Sequence, residues 1–187
     1  MAIKVYIDQG HNPVNPNSGA EGNGYREQDL VYTIGILTAD LLRSRGFEVR
    51  LSRPTVNTQL GTSNSSSLAA RVYGANSWGA DIFVSLHANA SDNPSASGQE
   101  AFVYSTSSPA YPLAGDILTE LNRSTGLRNR GVSVRTNLYV LRRTAMPATL
   151  VELGFITNRG DADLMANRPD LFAEGVANGV LTFYGMI

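Results

Sequence analysis

Apolar residues fall along this chain in short, nearly uninterrupted runs, separated by stretches with a helical period. Ile3–Ile7, Phe47–Leu51, Ile82–Leu86, Ala101–Tyr104 and Thr149–Leu153 each read as a buried strand, and Leu138–Leu141 as a weaker candidate. Such runs, with few polar interruptions, fit a sheet covered on both faces. Between them, Leu30, Ile34, Leu37 and Leu41 recur at helical spacing, with Val31 and Leu42 widening the stripe and Gly46 as a stop signal. Leu68, Val72 and Ala75 mark a second helix that closes near Gly79. Ser108 and Pro109 supply an N-cap and first residue for a third, with stripe Leu113, Ile117 and Leu121 and end at Gly126. Phe172, Val176, Val180 and Tyr184 mark a last helix starting near Pro169.

This alternation predicts an α/β domain: a mostly parallel, twisted sheet of about six strands flanked by helices on both faces. Ala101–Tyr104 follows Ile82–Leu86 without room for a helix, so it is expected to pair antiparallel at an edge. Thr55–Ser67 and Ser91–Gly98 are polar and follow strand ends; they read as surface loops on the rim of a groove. The 187 residues carry no internal repeat and no linker, so residues 1–187 read as a single domain.

Composition narrows the partners. Net charge is −1 and no Lys/Arg run occurs, which argues against nucleic acid. No apolar stretch approaches the ~20 residues of a membrane span, so no membrane insertion is expected. Cysteine is absent, which removes disulfides, thiol nucleophiles and cysteine-based zinc sites. The first strand begins at once, so no signal peptide is read at the start of this chain.

The chain has two histidines, His11 in Asp8-Gln9-Gly10-His11 and His87 in Ser85-Leu86-His87-Ala88-Asn89. Each stands just past a strand end, where open α/β sheets bind ligands, and histidine is the commonest metal ligand. A catalytic zinc takes three protein ligands and leaves a fourth position open. Glu27, at the start of the first helix, is the best third candidate; Asp29, Glu21 and Asp8 compete, and spacing alone does not choose. Glu152, in Val151-Glu152-Leu153-Gly154-Phe155, puts a carboxylate in a core strand, which is costly unless it is paired or functional.

Blander readings stand beside these. A lone histidine is more often a surface or core residue than a ligand. Glu27 in a first turn can simply complement the helix dipole. Glu152 has Arg142 or Arg143 as alternative partners. Arg53 and Arg71 read as structural or rim charges.

Taken in order, these segments resemble the zinc-dependent N-acetylmuramoyl-L-alanine amidases of the amidase-3 family. The motifs are Asp8-Gln9-Gly10-His11, the Glu27 segment, Ser85-Leu86-His87-Ala88-Asn89 and Val151-Glu152-Leu153-Gly154-Phe155-Ile156-Thr157-Asn158. Leu51-Ser52-Arg53, the Arg71 and Ala75-Asn76 helix and Gly98-Gln99-Glu100-Ala101 extend the likeness over nearly the whole chain. One departure is Asn12-Pro13, where members often carry a second glycine or small residue; Pro13 stiffens that loop without removing a ligand.

The resemblance implies one zinc ion held by His11, Glu27 and His87, with Glu152 as catalytic acid/base. It implies cleavage of the amide between N-acetylmuramic acid and L-alanine in peptidoglycan, by a monomer acting outside the cell or in the cell wall. No insertion resembling the blocking helix of regulated cell-division amidases is read, so an open site is expected. Asp8 and Asn89 are adjacent candidates for orienting the imidazoles. Competing functions are a zinc carboxypeptidase or deacetylase on another substrate, and an inactive wall-binding module.

Overall fold

The computed structural model describes residues 2–187. In chain order the elements are β1 (Lys4–Gln9), the hairpin β2 (Glu21–Gly22) and β3 (Tyr25–Arg26), α1 (Glu27–Ser44), β4 (Glu48–Leu51) and α2 (Asn64–Trp78). There follow β5 (Ile82–Asn89), β6 (Gln99–Val103), α3 (Ala110–Thr125), β7 (Asn129–Val134), α4 (Tyr139–Arg143), β8 (Ala148–Phe155), α5 (Arg159–Asn167) and α6 (Pro169–Phe183).

Six strands form one sheet, as expected, and its order is β4-β1-β5-β8-β6-β7. All neighbours are parallel except β6 with β8. Strand residues alternate between two faces, and the two faces have different covers. Val5, Ile7, Ile82, Val84, Leu86, Ala101, Val103, Val151 and Leu153 point into the larger core, shared with apolar residues of α1, α3 and α6. Tyr6, Phe83, Phe102, Ala148 and Leu150 point the other way, into a smaller core with Val72 and Ala75 of α2 and Val140 and Leu141 of α4.

On this second face each strand changes character along its length. Tyr6 gives way to Asp8, Phe83 to Ser85 and His87, and Leu150 to Glu152. Because β6 runs antiparallel, its polar residue comes first: Glu100 precedes Phe102. α4 has only five residues, so the apolar half of this face is covered while its polar half, at the carboxyl ends of the parallel strands, forms the rim where the site is built.

Most helix signals hold, but α3 starts one residue later than Ser108 and Pro109 suggested: Pro109 is its N-cap, with no side-chain cap, and Ala110 its first residue. Gly79 and Gly126 sit in the left-handed region at φ 66° and 73°, ending α2 and α3. Pro169 opens α6, and Asn158 caps α5 by accepting from Asp161 N at 3.1 Å.

Three expectations are corrected. β6 is antiparallel but not an edge strand, because β7 pairs with it in parallel on its outer side. Leu138–Leu141 is not a strand: Leu138 is the N-cap of α4, and its side chain packs with those of Val140 and Leu141 against the smaller core. The polar stretch after β4 ends at Ser63, the N-cap of α2, where Ser63 and Ser66 form a reciprocal capping box.

Candidate metal centre and active site

His11, Glu27 and His87 converge although 60 residues separate Glu27 from His87. Each offers one ligand atom, and the three atoms lie within 4.8 Å of one another, the one such group of metal-ligating side chains found among the described residues. Glu27 Oε1 is 3.0 Å from His11 Nε2 and 3.1 Å from His87 Nδ1. The other candidates are elsewhere. Glu21 and Asp29 are exposed beside Arg26, and Asp8 is buried against Arg71.

The approach of each residue has a local cause. Glu27 is the first residue of α1, and the β2–β3 hairpin delivers it: Glu27 N donates to Ala20 O at 2.9 Å, and Ala20 N donates to Glu27 Oε2 at 2.9 Å. Ala88 N donates to Glu27 Oε1 at 3.0 Å. His11 sits just beyond β1 in the left-handed region, at φ 65°, where a residue with a Cβ is held only by its surroundings. Arg71 provides that hold by donating to the carbonyl oxygens of Gln9 and His11. Asn12 fastens the following loop: its Nδ2 donates to Pro16 O at 2.8 Å and Leu60 O at 2.9 Å, and its Oδ1 accepts from Leu60 N at 3.1 Å.

Two glycines leave room for the side chains. A Cβ on Gly10 would stand 2.6 Å from His87 Cε1 and 2.7 Å from Leu86 O. A Cβ on Gly19 would stand 2.8 Å from Glu27 Cβ and Oε2 and 3.0 Å from His11 Cδ2.

Glu152 is the parallel register partner of His87 on the neighbouring strand. No arginine pairs with it, so Arg142 and Arg143 are not its partners. Its Oε2 is buried without a hydrogen-bond partner, as is His11 Nδ1. Burial, with smaller contributions from the charges of Glu27 and Glu100, pushes the Glu152 carboxyl up to about 8. Glu27 behaves in the opposite way. Burial alone would raise it, but hydrogen bonds from His11 and His87 and their charges outweigh that and hold it far below the usual carboxylate range. The two neighbouring carboxyls are thus pushed in opposite directions, Glu27 toward its ionised form and Glu152 toward its protonated one.

Neither residue expected to orient the imidazoles does so. Asp8 pairs with Arg71 and accepts from Ser85 Oγ at 2.7 Å. Asn89 donates to Glu100 Oε1 at 2.6 Å. Asp161 was not legible as a site residue. It is buried behind Glu152's strand end, where it accepts from Phe155 N, Gly98 N and Ser97 Oγ, tying β8 to the loop before β6. Only its position three residues after Asn158 signalled anything, and that signal was a helix cap.

A cavity of about 140 Å³ opens beside the imidazoles, lined by Gly10, His11, His87, Leu68, Tyr139 and Leu150 among others. A wider groove of about 460 Å³ lies between α1 and α6 and includes no member of the His/Glu group.

The donor set fits zinc. Two imidazole nitrogens and a carboxylate oxygen are a known catalytic combination, and bonds near 2.0–2.2 Å put neighbouring ligands ~3.3 Å apart, close to the 3.0 and 3.1 Å found here. The unpartnered His11 Nδ1 and Glu152 Oε2 are polar atoms of the kind a functional site leaves for other chemistry.

Comparison with known proteins places the chain in a family. A family model described as N-acetylmuramoyl-L-alanine amidase matches residues 5–182. The N-acetylmuramoyl-L-alanine amidase CwlM of Bacillus licheniformis is 33% identical over 189 residues, covering 98% of this chain and 70% of the relative. The solved N-acetylmuramoyl-L-alanine amidase from Clostridium difficile 630 superposes with a TM-score of 0.88 at 31% identity, covering 98% of this chain and 97% of the other. The amidase AmiC2 of Nostoc punctiforme gives 0.84 at 32% identity, with the same coverage. With the family model matched over residues 5–182 and the fold shared across nearly its whole length, the chain belongs to the N-acetylmuramoyl-L-alanine amidase family.

Proposed function

We propose that this chain is a peptidoglycan hydrolase that cleaves the amide between N-acetylmuramic acid and L-alanine, with His11, Glu27 and His87 holding one zinc ion and Glu152 as acid/base. The observation that carries the reading is the register of Glu152 beside His87, which puts a proton-holding carboxyl next to a two-nitrogen, one-oxygen donor set. Zinc bound there supplies Lewis-acid polarisation of the scissile carbonyl and lowers the pKa of bound water.

The protein's own residues do the rest. Glu27 keeps its charge because two histidines and two backbone N–H groups surround it. Ala88 N and Ala20 N fix its carboxylate plane, so the donor set is held before substrate arrives. Glu152, in its ionised form, accepts a proton from the attacking water. It then delivers that proton to the departing nitrogen, a transfer that its tendency to bind a proton favours. The apolar cavity beside the imidazoles offers room for a small apolar group of the substrate, and Leu68, Leu138 and Val140 shield that side from water. The enzyme acts as a monomer in the cell wall.

The test is product analysis. Incubation with sacculi and mass spectrometry should give peptides with a new N-terminal L-alanine, and chelation should stop their release. Release of terminal amino acids or acetate would establish a carboxypeptidase or deacetylase instead. Binding to sacculi without any product would establish an inactive wall-binding module.

A further inference from the structure

The polar row on the open face does not end at Glu152. Glu100 on β6 is its register partner across the one antiparallel pair of the sheet and shares its face. Two carboxylates therefore stand directly opposite one another on neighbouring strands, an arrangement that like-charge repulsion disfavours. Among the described residues Glu152 has no ion-pair partner, and Glu100 has one long ion pair, with Arg130, whose Nε is 4.0 Å from Oε2. Arg130 is engaged elsewhere, over the Phe155 ring at 5.1 Å and on Ser97 O at 3.3 Å.

The Glu100 carboxylate is nonetheless held in one place. Asn89, on β5, donates Nδ2 to Glu100 Oε1 at 2.6 Å, and its own Oδ1 accepts from Ala90 N at 2.9 Å. Since β8 lies between β5 and β6, the Asn89–Glu100 contact arches over β8, on the strand that carries Glu152. A fixed, partly exposed negative charge thus stands beside the group that hands a proton to the leaving nitrogen, at the far end of the row from His11 and His87.

We propose that Glu100 is a second active-site carboxylate, which binds the nitrogen of the departing peptide as it becomes positively charged, and that Asn89 is its positioning residue. The inference rests on the amidase reading above. In the reaction the C–N bond breaks and the water oxygen joins the acyl carbon. One water proton reaches nitrogen through Glu152, and the proton of the new carboxylic acid ends on the amine, giving carboxylate and ammonium below the amine pKa of about 7.7–8.0. Glu100 neither gives nor takes a proton. Its charge favours the positive nitrogen over the neutral amide nitrogen of the substrate, which is differential binding in the direction of reaction.

The experiment uses L-alanyl-γ-D-glutamate with a free amine, and its N-acetyl form, titrated calorimetrically into the zinc-loaded protein. Wild type should bind the free amine roughly tenfold more tightly, the scale of one charge-assisted contact. Glu100→Gln keeps an oxygen for Asn89 but removes the charge; it should bind both peptides equally and turn muropeptides over more slowly. Asn89→Ala should lose the same preference, which also serves if Glu100→Gln fails to fold. No preference in wild type, or a preference retained in a folded Glu100→Gln, overturns the proposal. Release of peptides with N-terminal L-alanine by wild type is scored separately, so loss of this inference is distinguishable from loss of the amidase reading.

Discussion

Asp8 and Arg71 form an ion pair in which both side chains are 1% exposed, with Oδ1 2.6 Å from Nη1. The pair joins β1 to α2, while Ser85 Oγ joins the same carboxylate to β5. Arg71 also holds the backbone oxygens of Gln9 and His11, so the ion pair under the sheet rim is what aims the first histidine. Arg71→Ala would leave Asp8 buried and unpaired. It should lower unfolding free energy by about 3–5 kcal/mol and weaken metal binding, as read by urea titration and by zinc content after dialysis.

The same pair sets an acid limit. Burial alone would raise the Asp8 carboxyl, but the Arg71 charge and hydrogen bonds from Ser85 and Arg71 outweigh it and hold it below its ordinary value. A group with a depressed folded pKa contributes stability that is full above the unfolded value, about 3.9, and lost as pH falls through the folded one. Asp8→Asn should therefore flatten the fall of stability below about pH 4, followed by circular dichroism across an acid titration.

Glu152 has the opposite sign. Its folded pKa is raised to about 8 in the metal-free protein, chiefly by burial. Its contribution is full below the unfolded carboxyl value, about 4.3, and is lost as pH rises through the folded value. Metal-free Glu152→Gln should thus be more stable than wild type at pH 8 and no more stable at pH 4, by thermal melting in chelator. With zinc present it should keep the ion yet lose about 10²–10⁴-fold in turnover, the scale of general acid/base catalysis.

How far these roles could be read beforehand depended on the kind of signal each residue gives. The strands under the site were legible because their apolar runs are continuous, and Glu152 stood out as a charge within one. β7 was not, because Asn-Arg-Gly-Val-Ser-Val on an edge strand shows neither alternation nor a run. Leu138–Leu141 misled because a four-residue apolar stretch carries no period that separates strand from helix. Glu27 could not be chosen over Asp29 until the hairpin before α1 turned it inward. Arg71, Asn12 and Asp161 hold the site through backbone groups far away in sequence, and no local pattern announces such contacts.

His11 offers a test of the backbone itself. At φ 65° a non-glycine residue carries a penalty of about 1–2 kcal/mol. Both His11→Ala and His11→Gly should lose zinc. In the metal-free state His11→Gly should be the more stable of the two by about 1 kcal/mol, against the usual rule that glycine destabilises through chain entropy. Equal stabilities in urea would show that Arg71 does not hold the histidine in a strained conformation.

Gly10 separates the room a metal centre needs from the ligands it uses. Gly10→Ala changes no candidate ligand, and Gly10 is not in the left-handed region, so its backbone conformation suits alanine. The added methyl would still press on the His87 ring at 2.6 Å and on the Leu86 carbonyl at 2.7 Å. Gly10 N donates to that carbonyl at 3.0 Å, so relieving the carbonyl contact strains a sheet bond between β1 and β5, and relieving the ring contact turns the imidazole. A turned His87 faces away from Glu27, so zinc affinity should fall by about 10–100-fold, the range seen when the support of a ligand is disturbed. Competition with a chromogenic chelator measures it. Unchanged affinity would mean that the ring has another position from which it still reaches the ion.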